Sequence, residues 1–171
     1  MNPEWIVKVR ELLGPICANE SCQLYDVEST GARSSRVLKI FIDAEKGATI
    51  EQCANVSNAL SLLLDVEDIV PGGKYSLEVS TPGLERNLRE KWHYEKVIEK
   101  VIKVKTESSF MPIQGPATKK GVKLIKGRLK KLMGEDLLIE DEKKRVYQVA
   151  INDVAKAHTV FEFDKPGKKK K

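Results

Sequence analysis

The chain is poor in the residues that most small-site chemistry needs. Its 171 residues hold two histidines and three cysteines, and neither type recurs at a ligand spacing. Cys17, Cys22 and Cys53 contain no C-x-x-C pair, and His93 and His158 form no H-x-x-x-H. An odd set of cysteines argues against a disulfide framework and a zinc site, and suits small buried hydrophobes in a reducing compartment. No G-x-S-x-G elbow or P-loop is present, so no catalytic residue, metal or cofactor is expected and the chain does not read as an enzyme. Aromatic residues make up 6%, and Tyr75, Trp92, Phe110 and Tyr147 are too scattered for a base-stacking platform. No apolar run approaches the roughly 20 residues that cross a bilayer. The opening Met1-Asn2-Pro3-Glu4-Trp5 lacks a basic or apolar leader. A cytoplasmic protein without a membrane partner is expected, and a monomer.

What is abundant is charge, and it is unevenly placed. Hydrophobic residues at 41% and charged residues at 32% fit a folded chain with a well-solvated surface. The net charge of +5 conceals a division: residues 1–95 hold 10 Lys/Arg against 15 Asp/Glu, whereas residues 96–171 hold 20 against 10. Such asymmetry points to modules with different partners, the basic half facing a polyanion and nucleic acid being the first to test.

The pattern divides the chain into three: an α/β module over residues 1–92, a strand-rich module over 93–162, and a basic tail over 163–171. In the first, Trp5, Val9, Leu12, Leu13 and Ile16 predict an amphipathic helix kinked or ended by Gly14-Pro15. Two strands follow, Gln23 to Ser29 and Arg36 to Asp43, with a hairpin turn at 31–35. Thr49 with Gln52 three residues later is a capping box, opening a helix that carries Ile50, Cys53, Ser57, Leu60 and Leu64 on one face. Pro71-Gly72-Gly73 then turns into a strand, Lys74 to Ser80. The order α-β-β-α-β predicts a two-layer module of one sheet covered by two helices. Beyond it, Pro82-Gly83 suits a type II turn, and Leu84, Leu88 and Trp92 predict a short helix exposing Arg86 and Arg89.

The second module reads as five short strands with tight turns, a small closed barrel of the SH3 or Sm type. The class is therefore α+β. Lys126, Arg128 and Lys130 alternate with Ile125, Gly127 and Leu129, so three cations share one strand face. Lys103 and Lys105 on the preceding strand extend the surface, and Lys119, Lys120 and Lys123 lie in the loop. Each phosphate contacted would make binding more sensitive to salt. The segment 107–121, rich in Ser, Pro and Gly, is expected to be mobile. Asp65, Glu67 and Asp68 leave a second reading open, a metal-dependent RNA-processing enzyme. A protein-only adaptor that captures an acidic partner is a third.

Leu64-Asp65-Val66-Glu67-Asp68, then Tyr75-Ser76-Leu77-Glu78-Val79-Ser80-Thr81-Pro82-Gly83-Leu84-Glu85-Arg86, resembles the central signature of the bacterial ribosome maturation factor RimP family. That string covers about residues 60–88, and the order of elements is similar over nearly the whole chain. The family pattern has Ser at Thr81, Asp at Glu85 and Pro at Asn87, the last change leaving the backbone freer. The resemblance implies a non-enzymatic factor that binds the immature 30S subunit and promotes its assembly. It further implies contact with 16S ribosomal RNA and with the small-subunit ribosomal protein near the decoding centre, the twelfth of its series. An N-terminal α/β domain followed by an Sm-like barrel is implied as well.

Overall fold

The computed structural model describes residues 3–32 and 35–161, and its contacts separate the chain between Pro82 and Gly83. The expected hairpin turn at 31–35 lies partly outside the described residues, and the basic tail 163–171 lies wholly outside them.

The first unit is built as α1 (Glu4–Asn19), β1 (Gln23–Thr30), β2 (Arg36–Asp43), α2 (Ile50–Glu67) and β3 (Tyr75–Ser80). β2 lies at the centre of the sheet, antiparallel to β1 and parallel to β3, with α2 as the crossover between the parallel pair. Alternation along β2 sends Leu38, Ile40 and Ile42 inward, all fully buried. Burial of each contributes about 1.5–3 kcal/mol. Ile6, Val9, Leu13 and Ile16 of α1 close over them with Val56, Leu60 and Leu64 of α2, forming one core.

Two details depart from the sequence pattern. Pro15 does not end α1, which continues to Asn19. The proline removes one donor, the residue four back, Glu11, is exposed to water, and Ile16 and Cys17 beyond it gain burial. Thr49 and Gln52 do form the capping box, each side chain accepting the other's backbone N–H at 3.1 and 2.8 Å. Ile50, however, is 90% exposed. The buried stripe of α2 runs from Cys53 through Val56, Leu60 and Leu64, and at 100° per residue Ile50 falls about a fifth of a turn from its centre.

The second unit contains α3 (Lys91–Glu95), β4 (Val101–Phe110), β5 (Val122–Met133), β6 (Asp136–Asp141), β7 (Val146–Ala150), a 3-10 turn (Ile151–Asp153) and β8 (Val154–Thr159). All pairings are antiparallel in the order β7-β6-β5-β4-β8. β4 and β7 approach one another although β5 and β6 stand between them, so the sheet is bent around its core. Among the described residues no ladder joins β7 to β8. The hydrogen bonds thus define a bent sheet where the sequence pattern predicts a closed barrel. Ile102, Val104, Ile125, Leu129, Leu137, Ile139 and Tyr147 fill its inner face. Gly127 is required on β5 where it faces β6, because a Cβ there would lie 2.3 Å from the Glu140 carbonyl oxygen.

The long connection between β4 and β5 is anchored where mobility is expected from its composition. Ile113 donates its N–H to the Val146 carbonyl (2.8 Å), and Val146 donates to the Gln114 carbonyl (2.9 Å). Among the described residues no helix is long and apolar enough to cross a membrane.

Candidate nucleic-acid interface

The segment carrying Arg86 and Arg89 is extended, where its apolar spacing predicts a helix. Its backbone groups find partners on β8 instead of four residues back. Thr159, almost fully buried, donates its hydroxyl to the Leu84 carbonyl (2.8 Å) and accepts the Arg86 N–H (2.7 Å). The Arg86 carbonyl accepts the Thr159 N–H at 3.0 Å, and Leu88 donates to Ala157 at 2.9 Å. Residues 83–92 therefore pack with the second unit, moving the boundary expected at residue 92 back to 82. Gly83 is absent from the positive-φ glycines, so the type II turn does not form, and Leu84 is left 70% exposed. His93 caps the start of α3: its Nδ1 accepts the backbone N–H of Arg89 (3.1 Å) and of Glu90 (3.3 Å).

Register on the second sheet decides which cations share a surface. Lys103 of β4 stands directly across from Lys126 of β5 on one side and His158 of β8 on the other. Lys105 pairs across with Lys156 and with Leu124. Cross-strand partners lie about 4.5–5.5 Å apart at Cβ, where like charges oppose each other's burial and packing. Among the described residues, neither Lys103, Lys105 nor Lys156 has an ion-pair partner. The result is a patch of four lysines spread over three adjacent strands, with Leu124 (54% exposed) among them.

Arg128 and Lys130, the other two cations of the β5 row, are differently occupied. The Arg128 guanidinium donates to the Glu99 carbonyl, and the Lys130 ammonium meets the Glu99 carboxylate at 2.9 Å. Glu99 is held for this by an unusual backbone, φ 67°, and by its N–H donated to Leu129 at 2.7 Å. Arg128 nevertheless borders a groove of about 380 Å3 shared with Leu84, Arg86, Lys100 and Phe161. Arg86 holds the Gly83 carbonyl through Nε at 3.1 Å. Arg89 is exposed on the same segment. The predicted residues thus separate into the lysine patch (Lys103, Lys105, Lys126) and the groove margin (Arg86, Arg128), with Lys130 tied to Glu99. Lys156 was not singled out by sequence reasoning, and His158 was weighed only as a metal or catalytic group, although their alternation along the last strand carried the signal.

At the β6–β7 hairpin Asp141 and Arg145 satisfy one another. Asp141 accepts N–H groups from Lys143 (2.9 Å) and Arg145 (3.0 Å) and the Arg145 guanidinium at 2.7 Å. Burial pushes this carboxyl up, but the Arg145 hydrogen bonds and the Lys143 N–H outweigh it and hold the group below the usual aspartate range. Asp65, Glu67 and Asp68 sit at the last turn and cap of α2. Among the described residues no three His, Cys, Asp or Glu side chains converge as a metal site, so the metal-dependent reading finds no ligand set there.

The comparison with known families bears on the first unit. Residues 12–85 match the family model of the RimP N-terminal domain, which spans β1, β2, α2, β3 and the second half of α1 and ends one residue before Arg86. RimP proteins are ribosome maturation factors, and this match over the first unit supports the RimP family for the chain.

Proposed function

We propose that this protein is a cytoplasmic, monomeric and non-enzymatic maturation factor that binds the immature 30S subunit. In this reading its second unit is a small SH3/Sm-like barrel whose lysine patch contacts the phosphates of 16S rRNA. The acidic first unit is left to meet a basic ribosomal protein, the one near the decoding centre. The observation that carries the reading is the cross-strand register of Lys103 with Lys126 and of Lys105 with Lys156, on a chain whose first unit is a RimP N-terminal domain. Four cations with like-charged neighbours are an arrangement that folding does not favour and a polyanion does. The barrel is supported by the five antiparallel strands and by the approach of β4 to β7. The factor acts by affinity for one arrangement of the unfinished particle and leaves when the mature subunit no longer presents it.

Co-sedimentation with free small subunits and with full ribosomes, at two salt concentrations, tests this. Association with free small subunits that weakens steeply with salt is expected, with weaker retention on full ribosomes. Indifference to both particles at low salt refutes it. Arg86→Ala is expected to reduce association while the unit stays folded, because the backbone of Arg86, not its guanidinium, makes the bonds to Thr159.

A further inference from the structure

The three cysteines look isolated in sequence, but the end of α1 brings two of them together. Ser21 adopts a left-handed backbone (φ 53°). The Ser21 N–H then donates to Ala18 at 3.1 Å and the Cys22 N–H to Cys17 at 2.9 Å. This is the 6→1 and 5→2 pattern of a Schellman motif, in which side chains flanking the two ends of the 6→1 bond meet. The side chains at those two ends are thiols, Cys17 and Cys22, near enough for each to shift the other's proton affinity. Cys17 is buried in the first core, with Cys22 and Cys53 half-buried against it.

The backbone bond also limits how far apart the two residues can be. With 2.9 Å between the Cys17 oxygen and the Cys22 nitrogen, standard bond lengths keep the α-carbons within about 6.8 Å, inside the range that a disulfide spans. Cys53 stands on a different element, and its influence on Cys22 is through charge, without a hydrogen bond. We propose that Cys17 and Cys22 are an oxidisable pair that closes to an intramolecular disulfide across the C-terminal turn of α1 when the chain meets a peroxide.

The chemistry balances in two steps. The Cys22 thiolate attacks one peroxide oxygen, the O–O bond breaks, and the departing hydroxide takes a proton to leave as water, giving a sulfenic acid. The Cys17 sulfur then attacks the Cys22 sulfur, the S–O bond breaks, and a second water leaves with the Cys17 proton. Two thiols are oxidised by two electrons and the peroxide is reduced to two waters. Burial pushes Cys17 up to about 12 and also raises Cys22, where the Cys17 thiol partly opposes it. Cys22 is therefore the attacking group, and closure quickens as pH rises.

Closure would fix a turn that α2 grips directly. Gln52 Nε2 donates to the Glu20 carbonyl at 2.7 Å, and Asn55 Nδ2 to the Glu20 carboxylate at 2.8 Å. The pair thus sits at the joint between the two helices of the first unit, whereas the lysine patch belongs to the second, and its chemistry is independent of ribosome binding.

The test uses the full chain, treated with hydrogen peroxide near the free-thiol pKa of about 8.5 and compared with an untreated sample. After denaturation the number of titratable thiols should fall from three to one and return with dithiothreitol. Trypsin leaves both cysteines in the peptide 11–33, which should lose about 2 Da as two thiols become a disulfide. Cleavage after Glu20 should then leave its two pieces joined. Cys53→Ser should preserve the link and Cys22→Ser abolish it. Three surviving thiols, a link to Cys53, or Cys22 recovered as a sulfinic acid beside a free Cys17 would each overturn the proposal. The peptide result on the unsubstituted chain decides it even where a variant fails to fold.

Discussion

Each sheet has a lysine at the same kind of position, outward on a central strand with a neighbour directly across on both sides, and the two positions are treated in opposite ways. Lys39 in the first sheet stands between Glu28 and Glu78 and approaches the Glu78 carboxylate to 3.8 Å. Lys103 in the second stands between Lys126 and His158. The first arrangement satisfies its charge within the fold and asks nothing of a partner. The second puts like charges directly across the ladder, at about 0.2–1 kcal/mol per pair, and Lys103 itself has no ion-pair partner among the described residues, so an external anion beside it is what would offset the repulsion. Net charge alone does not distinguish these cases; register does.

The largest expected effect comes from inverting the second arrangement. Lys103→Glu with Lys126→Glu should weaken association with small subunits by at least about tenfold at low salt, since each lost phosphate contact also removes about 0.7–0.9 from the salt slope. Lys39→Glu should leave binding unchanged. Co-sedimentation of the two variants side by side makes the comparison, and equal losses would break it.

A structural rather than electrical change separates scaffold from surface. Gly127→Ala places a methyl group against the Glu140 carbonyl and Ile139, at 2.3 and 3.0 Å, and should cost about 1–3 kcal/mol by overpacking. A denaturant midpoint that does not move would show that the β5–β6 pair can relax there.

Acid should act on the second unit through Asp141. Its folded pKa lies below the ordinary value, so its contribution is complete above the unfolded pKa of about 3.9 and is lost as pH falls through the folded value. Urea midpoints measured between neutral pH and pH about 3 should therefore decline less for Asp141→Asn than for the unsubstituted chain. The smallest effect completes the comparison. Lys103→Glu alone should stabilise the second unit slightly, and Lys39→Glu should destabilise the first by a similar amount, each within about 0.2–1 kcal/mol.

Where local chemistry decides the backbone, the sequence was legible. The Thr49 and Gln52 capping box and the order α-β-β-α-β both follow from neighbouring residues. What was not legible depends on partners distant in sequence. Leu84, Leu88 and Trp92 have helical spacing, but Thr159, more than 70 residues away, takes the backbone of that segment into an extended path. Pro15 reads as a kink or a stop, and which of the two is undecided until the burial of Ile16 and Cys17 beyond it is known. The same holds for the candidate site. Strand alternation identified Lys126, Lys103 and Lys105 as outward cations, but only the ladders show that Lys103 faces Lys126 while Arg128 and Lys130 turn to Glu99. The meeting of Cys17 and Cys22 required the left-handed Ser21, which no spacing rule announces.

The most direct test is the slope of log affinity against log salt for free small subunits, measured for the unsubstituted chain and for Lys103→Ser with Lys126→Ser. If the lysines of β4 and β5 hold phosphates, the double variant should remain folded and its slope should be shallower by about 1.4–1.8. An identical slope in a folded variant would contradict the account, placing those lysines outside the interface.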